Sequence, residues 1–168
     1  MTDRSAGHTV HGTCVAIGEA GVLIRGAPGA GKSDLALRLI DDGARLVADD
    51  QVRLGFDDGR IKASAPATIA GMIEVNGLGL ARLDDDSIVA QVTLVLLVDL
   101  VEPGEVERAP ERAWEAVLGV ELPLFAVAPF EASAPAKLRL AAGRGPGFIM
   151  CESKMPGSKT PGSKTEVS

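Results

Sequence analysis

The sequence predicts one α/β domain with a mixed sheet and flanking helices, and three observations predict it. The chain has 168 residues, 46% of them hydrophobic, which is enough to bury one core and too few to promise two. Short β-branched runs alternate with glycine-rich turns, and at least two stretches carry apolar residues at helical spacing. A glycine-rich loop lies between one such run and one such stretch.

The elements follow in order. Residues 13–17 and 22–25 read as strands around a turn at 18–21. Residues 33–42 read as a helix with Leu35, Leu39 and Ile40 near one face, ended by Gly43. Residues 45–48 read as a strand, and 51–56 with 60–65 as a hairpin across Asp57, Asp58 and Gly59. Residues 73–80 read as an apolar strand that Gly77 and Gly79 interrupt, a pattern of bulges and of close backbone approach near a site. Residues 91–100 form the most apolar strand, which places them at the centre of the sheet. Residues 110–118 and 134–142 read as two further helices. From 143 onward the composition changes, and 155–165 reads MPGSKTPGSKT, a direct repeat with no apolar period. The expected division is therefore a domain over 1–142 and a disordered tail over 143–168, with Lys154, Lys159 and Lys164 solvated.

Charge and cysteine content narrow the function. Asp and Glu number 23 against 17 Lys and Arg, a formal charge of −6, so no broad basic surface is available for nucleic acid or an anionic membrane. Any phosphate must be held locally. The two cysteines, Cys14 and Cys151, make no disulfide framework, and the first 30 residues carry no export signal, which points to the cytoplasm. The longest apolar run, 92–100, is about half of the roughly 20 residues a spanning helix needs.

Gly26-Ala27-Pro28-Gly29-Ala30-Gly31-Lys32-Ser33 fits G-x-x-x-x-G-K-[ST] between strand and helix, which is a P-loop. Its glycines let backbone N–H groups converge on phosphate oxygens, Lys32 neutralises the β and γ oxygens, and Ser33 can ligate Mg²⁺. A nucleoside triphosphate is the ligand this implies. Phosphoryl transfer also needs carboxylates, and two places could supply them. Asp99 ends the apolar strand, where a metal-side carboxylate of an ordinary P-loop ATPase would stand. Asp49 and Asp50 lie just past the strand that follows the P-loop helix; in an extended chain one would face the nucleotide and the other the structure. His8 and His11 are the only histidines, and His11 opens the strand region leading to the P-loop, where it could act beside the phosphates. Glu74, in the glycine-broken strand, is a candidate second metal ligand.

His11-Gly12, the P-loop, Leu46-Val47-Ala48-Asp49-Asp50 and the segment IEVNGLGL at 73–80 resemble, in that order and near that spacing, HPr kinase/phosphorylase. These bacterial enzymes phosphorylate a serine of the phosphocarrier protein HPr. The resemblance runs from about 11 to 142. It implies a fold similar to the nucleotide-binding domain of phosphoenolpyruvate carboxykinase, ATP and Mg²⁺ as cofactors, HPr as partner and assembly as a homo-oligomer, commonly a hexamer. With ten residues before His11, the chain resembles short members that keep the catalytic domain only. Carried over by position, Lys32 matches the phosphate-binding lysine, Ser33 and Glu74 the magnesium ligands, Asp50 the acid/base that accepts the seryl proton, and His11 a catalytic histidine. Asp49 becomes the neighbour that shapes the site, and Arg108 matches a catalytic arginine.

Two departures from the family bear on direction. Asn76 stands where the family has arginine, and Pro129-Phe130-Glu131-Ala132 stands where it has a basic Pro-Gly-Arg-Asn segment linked to dephosphorylation. Both imply weak reverse phosphorylase activity. Two other readings stay open at this level: a P-loop small-molecule kinase or regulatory ATPase using Asp99, and a nucleotide-binding regulator without catalysis, which Asn76 would suit.

Overall fold

The computed structural model describes residues 7–144, in which nine strands form one mixed sheet and two more form a separate hairpin. Strand β1 (His8–His11) gives way at Gly12 to β2 (Thr13–Ile17), which reverses into β3 (Ala20–Arg25). A Cβ on Gly12 would lie 2.9 Å from the Ile24 carbonyl oxygen, so the strand switch admits no side chain there. Helix α1 (Lys32–Asp41) follows the P-loop and buries Leu35, Ala36 and Leu39. Gly43, at φ 106°, closes it: its N–H donates to Ile40 O at 2.9 Å, and that of Ala44 to Leu39 O at 3.0 Å.

Strand β4 (Arg45–Ala48) pairs antiparallel with β2 at the sheet edge. The expected hairpin is present as β5 (Gln51–Asp57) and β6 (Arg60–Ser64), and β5 also pairs with β1. The segment at 73–80 is not one broken strand. It is two, β7 (Met72–Val75) and β8 (Gly79–Arg82), and Gly77 and Gly79 at φ 86° and 97° supply the left-handed backbone of the reversal.

Strand β9 (Gln91–Leu100) is central, as its apolar run implied. It runs parallel to β3 on one side; on the other its first residues meet β6 antiparallel and its last meet a later strand in parallel. The helix expected over 110–118 is a correction: Ala113–Val117 is β10, joined by a two-residue turn to β11 (Val120–Val127), the parallel neighbour of β9. Leu118 and Gly119 both take positive φ, 47° and 82°, the geometry of a tight hairpin turn. Leucine is not the usual residue there, so the turn carried no sequence signal and Pro110 read as a helix start. Helix α2 (Ala134–Arg144) closes the described chain, two residues past its expected end. The tail repeat and Cys151 lie outside the described residues.

Alternation along each strand sends side chains to opposite faces and makes two apolar clusters. Val22, Ile24 and Val98 pack with Leu35, Leu39 and Leu138 of the two helices. Leu23 and Leu97 point the other way and pack with Val47, Val52, Leu54, Ile61 and Leu122. Every buried member of this second cluster is a strand residue, so both helices flank one face and the sheet folds over itself to cover the other. No helix of the described residues is long and apolar enough to cross a membrane.

Candidate functional site

The P-loop leaves the end of β3 and turns on Gly29 and Gly31, at φ 80° and 106°, conformations that a side chain would strain. The N–H of Ala30 donates to Ala27 O at 3.0 Å and that of Leu35 to Gly31 O at 2.9 Å, which joins loop to helix. Lys32 Nζ curls back to donate to Gly26 O and Ala27 O, at 2.8 and 3.0 Å.

Beside the loop, Asp49 is buried at 6% exposure and accepts three hydrogen bonds. Ser33 Oγ donates to Oδ1 at 2.7 Å, Thr13 Oγ1 donates to the same oxygen at 2.8 Å, and the Glu74 N–H donates to Oδ2 at 2.9 Å. Strand β2, helix α1 and strand β7 therefore meet on one carboxylate. A buried charge is costly unless its lone pairs are filled, and here three donors fill them. Thr13 carried no motif and was not anticipated; its hydroxyl is identified only by what it touches.

Asp50 takes the opposite environment. It is exposed, at φ 70°, and its carbonyl oxygen accepts from the Gly12 N–H at 3.1 Å. The left-handed residue ends β4 and starts β5, and it separates two adjacent carboxylates into one buried and one open to the groove. That groove, of about 440 Å³, is lined by Thr13, Lys32, Ser33, Asp50, Glu74 and Asn76 among others. His11 is exposed at the end of β1, opposite Gln51 and so one residue from Asp50, and does not itself line the groove. Arg108 is exposed between β9 and β10 and does not line it either.

Asp99 is committed elsewhere. Its oxygens accept from Arg25 Nε at 2.7 Å and Nη2 at 3.2 Å, and Glu115 of β10 takes the rest of the guanidinium, with Nη2 at 3.0 Å from Oε1 and a second bond from Nη1 to Oε2. Glu115 and then Asp99 hold the Arg25 guanidinium above its already high pKa, and Arg25 in turn holds the Glu115 carboxyl below the usual range. Arg25 is the last residue of the P-loop strand, so this pair of carboxylates clips the β10–β11 hairpin to the root of the loop.

The oxygen donors at the groove suit a hard divalent cation. Ser33 gives its proton to Asp49, which leaves its oxygen lone pairs available, and Glu74 adds a carboxylate. Among the described residues no group of three or more His, Cys, Asp or Glu side chains could hold a metal unaided. The Ser33 hydroxyl and the Glu74 carboxylate are the hard oxygen donors that Mg²⁺ takes, alongside waters and substrate phosphates.

A family model, the HPr Serine kinase C-terminal domain, matches residues 3–128. The chain belongs to the HPr serine kinase family. An HPr kinase/phosphorylase of Cupriavidus metallidurans is 39% identical over 146 residues, 81% of this chain and 41% of that protein. One of Clostridium botulinum is 42% identical over 81 residues, 48% of this chain and 27% of that one. The chain thus spans less than half the length of these curated relatives. Among solved structures, the HPr(Ser) kinase/phosphatase of Coxiella burnetii aligns with TM-score 0.70 and 30% identity, covering 79% of this chain and 87% of that one. The mixed-sheet α/β fold expected from the sequence is the fold this family member shares.

Proposed function

We propose that this domain is an ATP-dependent protein serine kinase that phosphorylates the phosphocarrier protein HPr. The observation that carries the reading is the meeting of Lys32, Ser33, Asp50 and Glu74 on one groove, with Asp49 tying three elements together beneath it. The P-loop N–H groups and Lys32 hold the β- and γ-phosphates. Ser33 and Glu74 would hold Mg²⁺ together with the nucleotide, and the ion would supply positive charge to the phosphates there. Asp50 accepts the proton of the seryl hydroxyl as its oxygen attacks: a bond forms from serine Oγ to the γ-phosphorus, the bond to the β-bridging oxygen breaks, and ADP leaves. His11 and Arg108, away from the groove in this protomer, would act only by approaching it on substrate binding or assembly.

Similarity to the family supports a cytoplasmic homo-oligomer, a hexamer by that resemblance. A reading through Asp99 is disfavoured because Arg25 occupies its carboxylate. The test is to incubate the protein with γ-labelled ATP and purified HPr, with and without Mg²⁺. Mg²⁺-dependent label on an HPr serine is the expected result. Free labelled phosphate that is indifferent to HPr would return the ATPase reading, and nucleotide binding without transfer would leave a regulator.

A further inference from the structure

The direction in which a nucleotide crosses the loop follows from what stands on each flank. Ser33, Asp50 and Glu74 mark one flank as the place of transfer, so the γ-phosphate lies there and the nucleoside must leave on the other. The other flank holds a second groove, of about 460 Å³, between the loop and the ends of β9 and β11. Leu100, Val101 and Pro103 line it on one side, Ala27 and Ala30 of the P-loop on the other, and Phe130 borders both this groove and the first.

Phe130 is 71% exposed, an open aromatic face at the mouth of a groove. Its ring is backed by the P-loop itself, for a Cβ on Gly31 would fall 2.9 Å from Phe130 Cζ. The loop that carries it is fixed in place. Arg38 of α1 donates to the Pro129 carbonyl oxygen, the Glu131 N–H to Ala128 O at 3.3 Å, and the Val101 N–H to Val127 O at 3.0 Å. A ring held this way loses little freedom when something stacks on it.

The charged groups that line the groove are all carboxylates, Glu102, Glu105 and Glu131. Lys137 neutralises Glu131 from outside at 2.9 Å. An acceptor-only rim repels a phosphate or phosphoserine and accepts hydrogen bonds from ribose hydroxyls and an exocyclic amine. We propose that this groove is the nucleoside subsite, and that Phe130 stacks on a purine base while the rim carboxylates take the sugar and amino protons. The proposal rests on the nucleotide reading above and assigns the end of the molecule that the P-loop motif leaves open.

Calorimetric binding of Mg²⁺–ATP and of Mg²⁺–tripolyphosphate, which has no nucleoside, separates the two. Phe130→Ala should weaken ATP by about 5- to 150-fold, the range for one lost aromatic–base stack, and leave tripolyphosphate unchanged. Phe130→Tyr should keep ATP near wild type. Equal weakening of both ligands would reduce Phe130 to a support for Gly31 and overturn the proposal, as would ATP binding that ignores Phe130→Ala. If wild type binds neither ligand the nucleotide reading itself has failed, an outcome that the tripolyphosphate arm makes recognisable.

Discussion

Ser33 Oγ lies 2.7 Å from Asp49 Oδ1, which ties the first turn of the P-loop helix to the carboxylate just past strand β4. The same carboxylate accepts from Thr13 and from the Glu74 backbone, so a side chain beside the candidate groove is also a joint of the fold.

Asp49 and Asp50 should therefore respond differently to the same change. Asp49→Asn replaces an acceptor with an amide that must set N–H against one of three donors, costing about 2 kcal/mol in denaturant unfolding. Asp50→Asn is exposed, and asparagine tolerates left-handed φ, so stability should hold within about 0.5 kcal/mol. Its transfer rate should fall by roughly 10²- to 10⁴-fold with ATP binding kept. Unchanged turnover in Asp50→Asn would move the base elsewhere.

Lys32→Ala should abolish label transfer to HPr and weaken ATP. It removes the only basic side chain lining the candidate groove among the described residues, along with its two bonds to the loop carbonyls at 26 and 27. Wild-type transfer by this variant would contradict the phosphate-binding role.

Acid should weaken the hold of Arg25 on the β10–β11 hairpin. Arg25 holds the folded Glu115 carboxyl below its unfolded value, so the contribution is complete above the ordinary glutamate range and is lost as pH falls through the lower folded value. Glu115→Gln should flatten that part of the stability–pH curve, read from melts between neutral and strongly acidic buffer. An identical curve in the variant would remove Glu115 from the acid response.

Cys14 should be silent to thiol reagents. It is fully buried and its thiol is pushed up to about 12 by that burial, so at pH 8 roughly one part in 10⁴ is thiolate, and that part is shielded. Alkylation followed by peptide mapping should leave Cys14 unmodified in native protein and modify it in denaturant.

Phosphorolysis should be much slower than the forward reaction. A second anion beside the phosphoserine needs a second cation, and the groove offers Asn76 where an arginine would serve, while Lys137 is paired with Glu131. Serine-phosphorylated HPr with Mg²⁺ and excess phosphate should release little pyrophosphate. Release as fast as kinase turnover would show a cation reaching the site from elsewhere.

The P-loop, its helix and the central strand were legible because each announces itself locally, through glycine spacing, a 3.6-residue apolar period and an unbroken apolar run. The β10–β11 hairpin was not, because Leu118 turns the chain in a conformation its side chain does not advertise. At the site, the Asp49–Asp50 pair was visible, and so was the expectation that one would face inward. Which one came from the family resemblance rather than from the residues alone, and that Thr13 and the Glu74 N–H would meet it depended on strands that are distant in the chain. Arg25 and Glu115 were missed for the same reason, since neither belongs to a motif.

The sheet order also governs when the glycine-rich loop at 26–33 can form. Strand β3, which delivers the P-loop, is bordered on one side by β9, and Arg25 and Asp99 that close this seam are 74 residues apart. During synthesis the loop sequence emerges long before its parallel neighbour, so for that interval it has glycines but no floor. A topology so rich in distant strand pairs folds on the scale of about milliseconds to seconds rather than microseconds. Until β9 is in place the apolar residues of β3 are open to other chains, and the interval before the site exists is also the one in which this protein most needs protection from aggregation.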